Sequence, residues 1–212
     1  MAILAELSSA QLAEQLRDPQ GENGLAVAEA LVAINAGATT TVLDRLHLKP
    51  AMGVLELGCG LGDFVVRLTE AAPDITYTGL DRSTLMIDAA LIRHRRLVDS
   101  GCAKFACATS ENTELPDGSF DRLVSIGLVH FWRDPLQSLK ECLRMLRPGG
   151  VMLMACLGTD RAPPFALLEH GFHLRSASEW SDQTREAGFE DVSIEVDDAA
   201  GRPQGLLVRA KR

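Results

Sequence analysis

The chain has 212 residues, of which 46% are apolar and 24% charged. That balance excludes a disordered chain, and the length is enough to bury a core without disulfide or metal staples. A formal net charge of −8 repels phosphate backbones, which argues against a dedicated nucleic-acid binder.

The N-terminus opens Met-Ala-Ile-Leu-Ala-Glu-Leu. It has no basic leader and an early Glu6, so it does not read as a signal peptide. Ser8 and Ser9 are placed to cap a short helix running through Arg17, and Asp18-Pro19-Gln20-Gly21 reads as a turn. Asn23 is the expected cap of a longer helix, or helix pair, ending near Leu48. There Val27, Leu31, Ile34, Ala38, Val42 and Leu46 recur every three or four residues, the period of one buried face.

From Met52 onward short apolar runs alternate with longer amphipathic ones. Strands are expected at Val54–Leu57, Ile75–Leu80, Cys102–Ala108, Phe120–Ile126 and Val151–Leu157. Between them lie helices at Phe64–Ala72 and Thr84–Val98, and one with Leu136, Leu139, Leu143 and Leu146 on a single face that stops at Pro148-Gly149-Gly150. Ser178–Ala187 reads as a further helix, with Gly188 as its C-cap. Val192–Val196 and Leu206–Arg209 are closing strands joined by a turn at Gly201-Arg202-Pro203. This alternation predicts an α/β fold: a seven-stranded, mostly parallel, Rossmann-like sheet with helices on both faces and an antiparallel edge strand. The organisation expected is one domain, with residues 1–50 a helical cap and 51–212 the α/β core. The longest apolar stretch, Val151 to Leu157, is strand-sized and falls short of the roughly 20 residues a membrane helix needs, so no membrane span is expected. Cys59, Cys102, Cys107, Cys142 and Cys156 form neither a CxxC pair nor a zinc-spaced cluster. They read as reduced thiols of a cytoplasmic protein, with no bound metal.

The chemistry concentrates in Glu56-Leu57-Gly58-Cys59-Gly60-Leu61-Gly62, between the first strand and the following helix. Glycines let the chain turn sharply and let a ligand approach the backbone. The crevice beyond the carboxyl end of that strand is where doubly wound sheets bind ligands. A dinucleotide fingerprint would need a third glycine where Asp63 stands, and a Walker loop would need Gly-Lys-Ser/Thr. Glu56 sets a carboxylate beside the loop, which disfavours a pyrophosphate and suits a ligand bearing an ammonium and a sulfonium. Asp81 ends the second strand about twenty residues past the glycines, the position from which an acid bonds ribose hydroxyls; the alternative is a cap for the next helix.

Four segments in order carry a resemblance. They are Glu56 to Gly62; Gly79-Leu80-Asp81-Arg82-Ser83 with Met86; Pro116-Asp117-Gly118-Ser119-Phe120-Asp121; and Leu146-Arg147-Pro148-Gly149-Gly150. Together they resemble the successive motifs of class I S-adenosylmethionine-dependent methyltransferases, and are similar to the small ubiquinone/menaquinone C-methyltransferases, over roughly residues 50–158. The resemblance implies S-adenosylmethionine as cofactor. Glu56 and the backbone of Gly58, Cys59 and Gly60 would hold its methionine end. Asp81 would hold the ribose, with Arg82, Met86 and Ile126 alongside the adenine region. Relatives tend to carry Asp-Ala-Glu after the third strand; this chain has Thr109-Ser110-Glu111, so the adenine amino group falls to the hydroxyl of Thr109 or Ser110.

After the fourth strand comes Gly127-Leu128-Val129-His130-Phe131-Trp132. His130 resembles the histidine many relatives carry here. Two readings stand: general base or substrate contact, and a structural histidine bonded to nearby backbone. His170 and His173 are weaker candidates for facing substrate. The N-terminal helices are expected to fold over the cofactor as a lid, and residues 158–176 to form the other wall, partly apolar through Pro163-Pro164-Phe165 and Leu167-Leu168. The function implied is methyl transfer to a small-molecule acceptor by in-line displacement, in a monomer or homodimer. The alternative is a catalytically weak cofactor-binding regulatory or interaction protein of the same fold.

Overall fold

The computed structural model describes residues 2–159, 169–197 and 205–212. The N-terminal segment is helical: α1 (Ala2–Glu6), α2 (Ser9–Arg17), α3 (Gly21–Ile34) and α4 (Ala36–Arg45). Ser8 caps α2 in a capping box with Gln11, satisfying backbone donors at both positions. The helix pair expected to be capped by Asn23 starts three residues earlier, with Gln20 as an N-cap that makes no side-chain bond. The break between α3 and α4 falls at Asn35, where the axis bends by 56°. No single described helix is long and apolar enough to cross a membrane.

The core follows as β1 (Gly53–Leu57), α5 (Phe64–Ala71), β2 (Thr76–Asp81), α6 (Thr84–Arg93), α7 (Arg95–Asp99), β3 (Ala103–Cys107) and β4 (Phe120–Ile126). A short 3₁₀ turn (Val129–Phe131) leads to α8 (Pro135–Met145), β5 (Leu146–Leu157), α9 (Ala177–Glu186), β6 (Glu190–Asp197) and β7 (Gly205–Lys211). The seven strands are ordered β3-β2-β1-β4-β5-β7-β6. All pairs from β3 to β5 are parallel, and β7 runs antiparallel to both β5 and β6. This is the expected Rossmann-like sheet with its antiparallel edge region. The strand order reverses between β1 and β4, so the carboxyl ends of these two strands open the crevice that such sheets use for ligands.

Period-two alternation distributes the core over two faces. Leu55, Leu57 and Leu123 pack with Leu139, Cys142 and Met145 of α8 and Trp180 of α9. Val54, Tyr77 and Val124 face the other way, onto Val42 of α4 and Phe64, Val65 and Leu68 of α5. Every residue of β1 is buried, Glu56 included.

Two boundaries in the core differ from the sequence reading, each for a long-range reason. The helix expected over 84–98 breaks at His94, whose buried Nε2 is 2.9 Å from the carbonyl of Leu61 in the glycine turn. Strand β5 begins at Leu146, not Val151. Leu146 pairs with Phe120, and Gly149 N–H and Gly150 C=O bond the backbone of Arg212. The turn expected at Gly201-Arg202-Pro203 and the apolar run at Pro163-Pro164-Phe165 with Leu167-Leu168 lie outside the described residues.

Trp180 pins α9 to the sheet. It is 1% exposed, meets the Trp132 ring edge-on at 6.3 Å and carries the Arg175 guanidinium 5.2 Å from its ring centre. Trp180→Ala should cost about 3–5 kcal/mol of unfolding free energy, measured in urea, as expected for a large aromatic removed from a packed core.

Candidate active site

A cavity of about 870 Å³ lies over the carboxyl ends of β1, β2 and β4, beneath α2 and α3. Binding cavities commonly run from about 300 to 1,000 Å³, so this one lies toward the upper end of that range. It is lined by all the residues assigned to the cofactor, Glu56, Gly58, Cys59, Gly60, Asp81, Arg82, Met86, Thr109, Ser110, Glu111 and Ile126, and by His130. His170 and His173 are not among its lining residues; Phe172, between them, is.

The turn after β1 takes its shape from its glycines. Gly58, Gly60 and Gly62 all have positive φ, where an L side chain is strained. A Cβ at Gly62 would stand 2.5 Å from the Phe105 ring, and one at Gly58 would stand 2.9 Å from Leu128. At Gly60 nothing lies within 4 Å, so that glycine faces open cavity where a ligand can meet bare backbone. Gly58 N–H and Cys59 N–H both donate to the Leu80 carbonyl, tying the turn to β2. His94 supports it from behind, stacked on Phe105 at 5.9 Å.

Two acids flank this turn. Glu56 is 5% exposed, and its carboxyl receives a short hydrogen bond from the Tyr77 hydroxyl. Burial pushes the Glu56 carboxyl up to about 8; the Tyr77 bond opposes this, and the neighbouring charges of Asp81 and Asp63 add to it. Among the described residues no cation pairs with Glu56. Room for the Tyr77 hydroxyl comes from Gly79, where a Cβ would approach it to 2.8 Å. Asp81 accepts Gly60 N–H at 3.0 Å through Oδ2 and Ser83 N–H at 2.9 Å through Oδ1. Burial raises its pKa while those two bonds lower it. Each oxygen keeps a lone pair for a ligand donor. The cap of α6 is Ser83, whose hydroxyl accepts Met86 N–H, so Asp81 does not fill that role. The Cys59 thiol is pushed well above the usual range by burial, then by Glu56 and Asp81, and stays protonated.

At the far wall, Ser110 Oγ lies 3.0 Å from the buried Ser138 Oγ on α8, which leaves the Thr109 hydroxyl as the less committed of the two. The Glu111 side chain is exposed at the rim. His130 is buried and stacked on Phe172, with ring centres 4.9 Å apart and planes 8° from parallel; Phe131 lies 4.5 Å from it. Its Nδ1 is enclosed without a hydrogen-bond partner, so Nε2 is the nitrogen available to the cavity. The backbone-bonded reading survives only through the peptide: the His130 carbonyl accepts His173 N–H at 2.7 Å. Burial pulls the imidazole down to about 4, so the ring is neutral at physiological pH.

The sequence reading missed Tyr77, Asn35 and Phe172. A glycine inside a strand signals close approach, and Gly79 was that signal for Tyr77. Asn35 Nδ2 reaches to 3.4 Å of where a Gly127 Cβ would stand, at the carboxyl end of β4. The cap is fixed over the cavity by Arg93, which bonds Glu29 of α3 at 2.6 Å and Asp63 at 2.8 Å.

Residues 55–154 match the family model described as a methyltransferase domain. The chain is 30% identical over 163 residues to phosphoethanolamine N-methyltransferase 3 of Arabidopsis thaliana, covering 74% of this chain and 32% of that protein. It is 28% identical over 159 residues to the malonyl-[acyl-carrier protein] O-methyltransferase of a Paenibacillus species, covering 68% of this chain and 57% of that protein. The chain thus spans about a third of the first relative and rather more than half of the second. A SAM-dependent methyltransferase from Aquifex aeolicus has the same fold, with a TM-score of 0.68 at 20% identity over 97% of this chain and 98% of that one.

The isolated Glu56 carboxyl has a thermodynamic signature. Its ordinary value is 4.5 and its folded value about 8. Between those values the folded chain holds a proton the unfolded chain has released, so this group's contribution to stability is lost as pH rises through the window. Glu56→Gln should flatten the fall in stability between about pH 5 and about pH 8 in urea unfolding of the ligand-free chain. A variant with the wild-type slope would contradict the assignment.

Proposed function

We propose that the chain, whose residues 55–154 match a family model described as a methyltransferase domain, binds S-adenosylmethionine and directs in-line transfer of its methyl group to a small-molecule acceptor. The observation that carries this reading is the pair of acids beside the glycine turn, Glu56 buried and Asp81 half-buried. Glu56 is buried with no cation, next to Asp81, at a turn open to a ligand at Gly60. That environment disfavours a diphosphate and favours a cation. The residues present therefore fit the group: Glu56 and the backbone of Gly58, Cys59 and Gly60 hold its amino-acid end, and Asp81 receives the ribose hydroxyls. Arg82, Met86, Ile126, Thr109, Ser110 and Glu111 surround the adenine region. Residues 1–50 serve as the cap that excludes water.

When bound, S-adenosylmethionine supplies a methyl group already activated by the positive charge on sulfur. The protein's own part is then placement and a dry site. Well-oriented reactants gain effective molarities on the order of 10⁵–10⁸ M. His130 Nε2, neutral and set in an aromatic stack, takes the proton from an acceptor that must lose one. A ring pulled down to about 4 is a weak base but is in its competent form throughout the physiological range.

Calorimetric titration tests the cofactor reading. At about pH 7 the cationic ligand should draw Glu56 into its ionised form, releasing close to one proton per ligand, as resolved in buffers of different ionisation enthalpy. NAD should not bind. Uptake of NAD in place of S-adenosylmethionine would refute the reading. For His130→Ala, turnover of a proton-bearing acceptor should fall by about 10² while cofactor affinity is kept. The wild-type rate should show no inflection near the ordinary histidine value, and its acid limb should lie near 4.

A further inference from the structure

The cavity is divided by charge. Its lining acids, Glu56, Asp63, Asp81 and Glu111, belong to the glycine turn, the end of β2 and the segment after β3. Of its lining cations, Arg67 donates to Thr40 and Arg82 follows Asp81 in the chain. The remaining one, Arg17, lies against Gly171, in the segment that follows β5. It ends α2, is exposed yet lines the cavity, and so stands at the rim. Its Nη1 lies 3.1 Å from where a Gly171 Cβ would be, and Gly171 precedes the Phe172 ring that stacks on His130. Among the described residues Arg17 makes no ion pair, neither with Glu14 one turn back nor with Asp18 beside it, whose carboxylate accepts from Gln20. Leu12, Leu16, Leu31, Phe131 and Phe172 line the same cavity and give it an apolar surface.

Resting on the methyltransferase reading, we propose that the acceptor is an amphiphilic oxyanion. Its carboxylate or phosphate is taken by Arg17 at the rim, its apolar body lies along the leucine and phenylalanine wall, and its nucleophilic atom reaches toward His130. A guanidinium is suited to such groups because its forked donors match an oxyanion's paired oxygens. The acids at the other end of the cavity add direction. Of these, Asp81 and Glu111 disfavour an anionic group in the cofactor half, so the acceptor enters with its nucleophilic end first.

The test uses the full chain. Titration of S-adenosylhomocysteine comes first, into wild type and Arg17→Gln. The loaded protein is then titrated with octanoate, octyl phosphate and 4-phenylbutyrate, and with the uncharged octanamide, octanol and 4-phenylbutanamide. The wild type should bind each anion about 10-fold more tightly than its neutral counterpart, a difference of about 1.4 kcal/mol. Arg17→Gln should erase that preference and leave the neutral probes and S-adenosylhomocysteine unaffected, while Arg17→Lys should recover part of it. Comparison of octanoate with octyl phosphate tells which oxyanion is preferred. Equal binding of anions and neutrals by the wild type, binding of none of them, or an equal loss of both in Arg17→Gln would overturn the proposal. So would a loss of S-adenosylhomocysteine affinity confined to the variant. Failure of the wild type to bind S-adenosylhomocysteine in the first titration would instead strike the methyltransferase reading, and this proposal with it.

Discussion

The contact on which the site turns is the hydrogen bond between the Tyr77 hydroxyl and the buried Glu56 carboxyl. A carboxyl on the inner strand of a sheet is costly unless it stays protonated or meets a cation. Here a single hydroxyl meets it, from the parallel neighbour strand, and the remaining demand is left open toward the cavity. The fold tolerates this because β1 is held on both sides, by β2 and β4, and because Gly79 leaves the space the hydroxyl needs. Gly58, Gly60 and Asp81 are arranged around that unmet demand. The turn bends away at positive φ, and the Asp81 carboxylate fastens it by accepting the Gly60 N–H.

Support for the turn extends well beyond the motif. Gly62 fits only because Phe105 and His94 fill the space behind it, and His94 reaches back to the Leu61 carbonyl. Arg93, next in sequence to His94, ties Asp63 at the start of α5 to Glu29 on α3. One short stretch at the end of α6 therefore fixes both the floor of the cavity and its roof. The two ends of the cavity are chemically unlike: acids and bare backbone over β1 and β2, aromatic rings and leucines under α2 and α3.

Much of this was legible in the sequence because it depends on local pattern. The alternation of apolar runs with amphipathic segments gives the strands and helices of the parallel core, and the spacing of Gly58, Gly60 and Asp63 separates this turn from a dinucleotide loop. The residues it marked out line one cavity because strands β1, β2 and β4 all end there. What stayed hidden depends on contacts distant in the chain. The break at His94 reflects a bond to a carbonyl 33 residues away. Gly149 and Gly150 read as a stop, yet their backbone pairs with Arg212 and carries β5 upstream to Leu146. The Tyr77 bond spans 21 residues and needs the parallel register to be seen. The place of Arg17 against Gly171 follows from how the cap docks, which no periodicity encodes.

The insertion of β7 between β5 and β6 has a consequence for biogenesis. During vectorial synthesis β6 leaves the ribosome before β7, the only strand it pairs with among the described residues, and the flank of β5 stays bare until β7 arrives. Two edges with unsatisfied amides coexist for that interval, the condition in which nascent chains are most open to wrong pairing. The sheet closes only when residues 205–211 slide into the gap, so the scaffold becomes whole through a strand made after both of its neighbours.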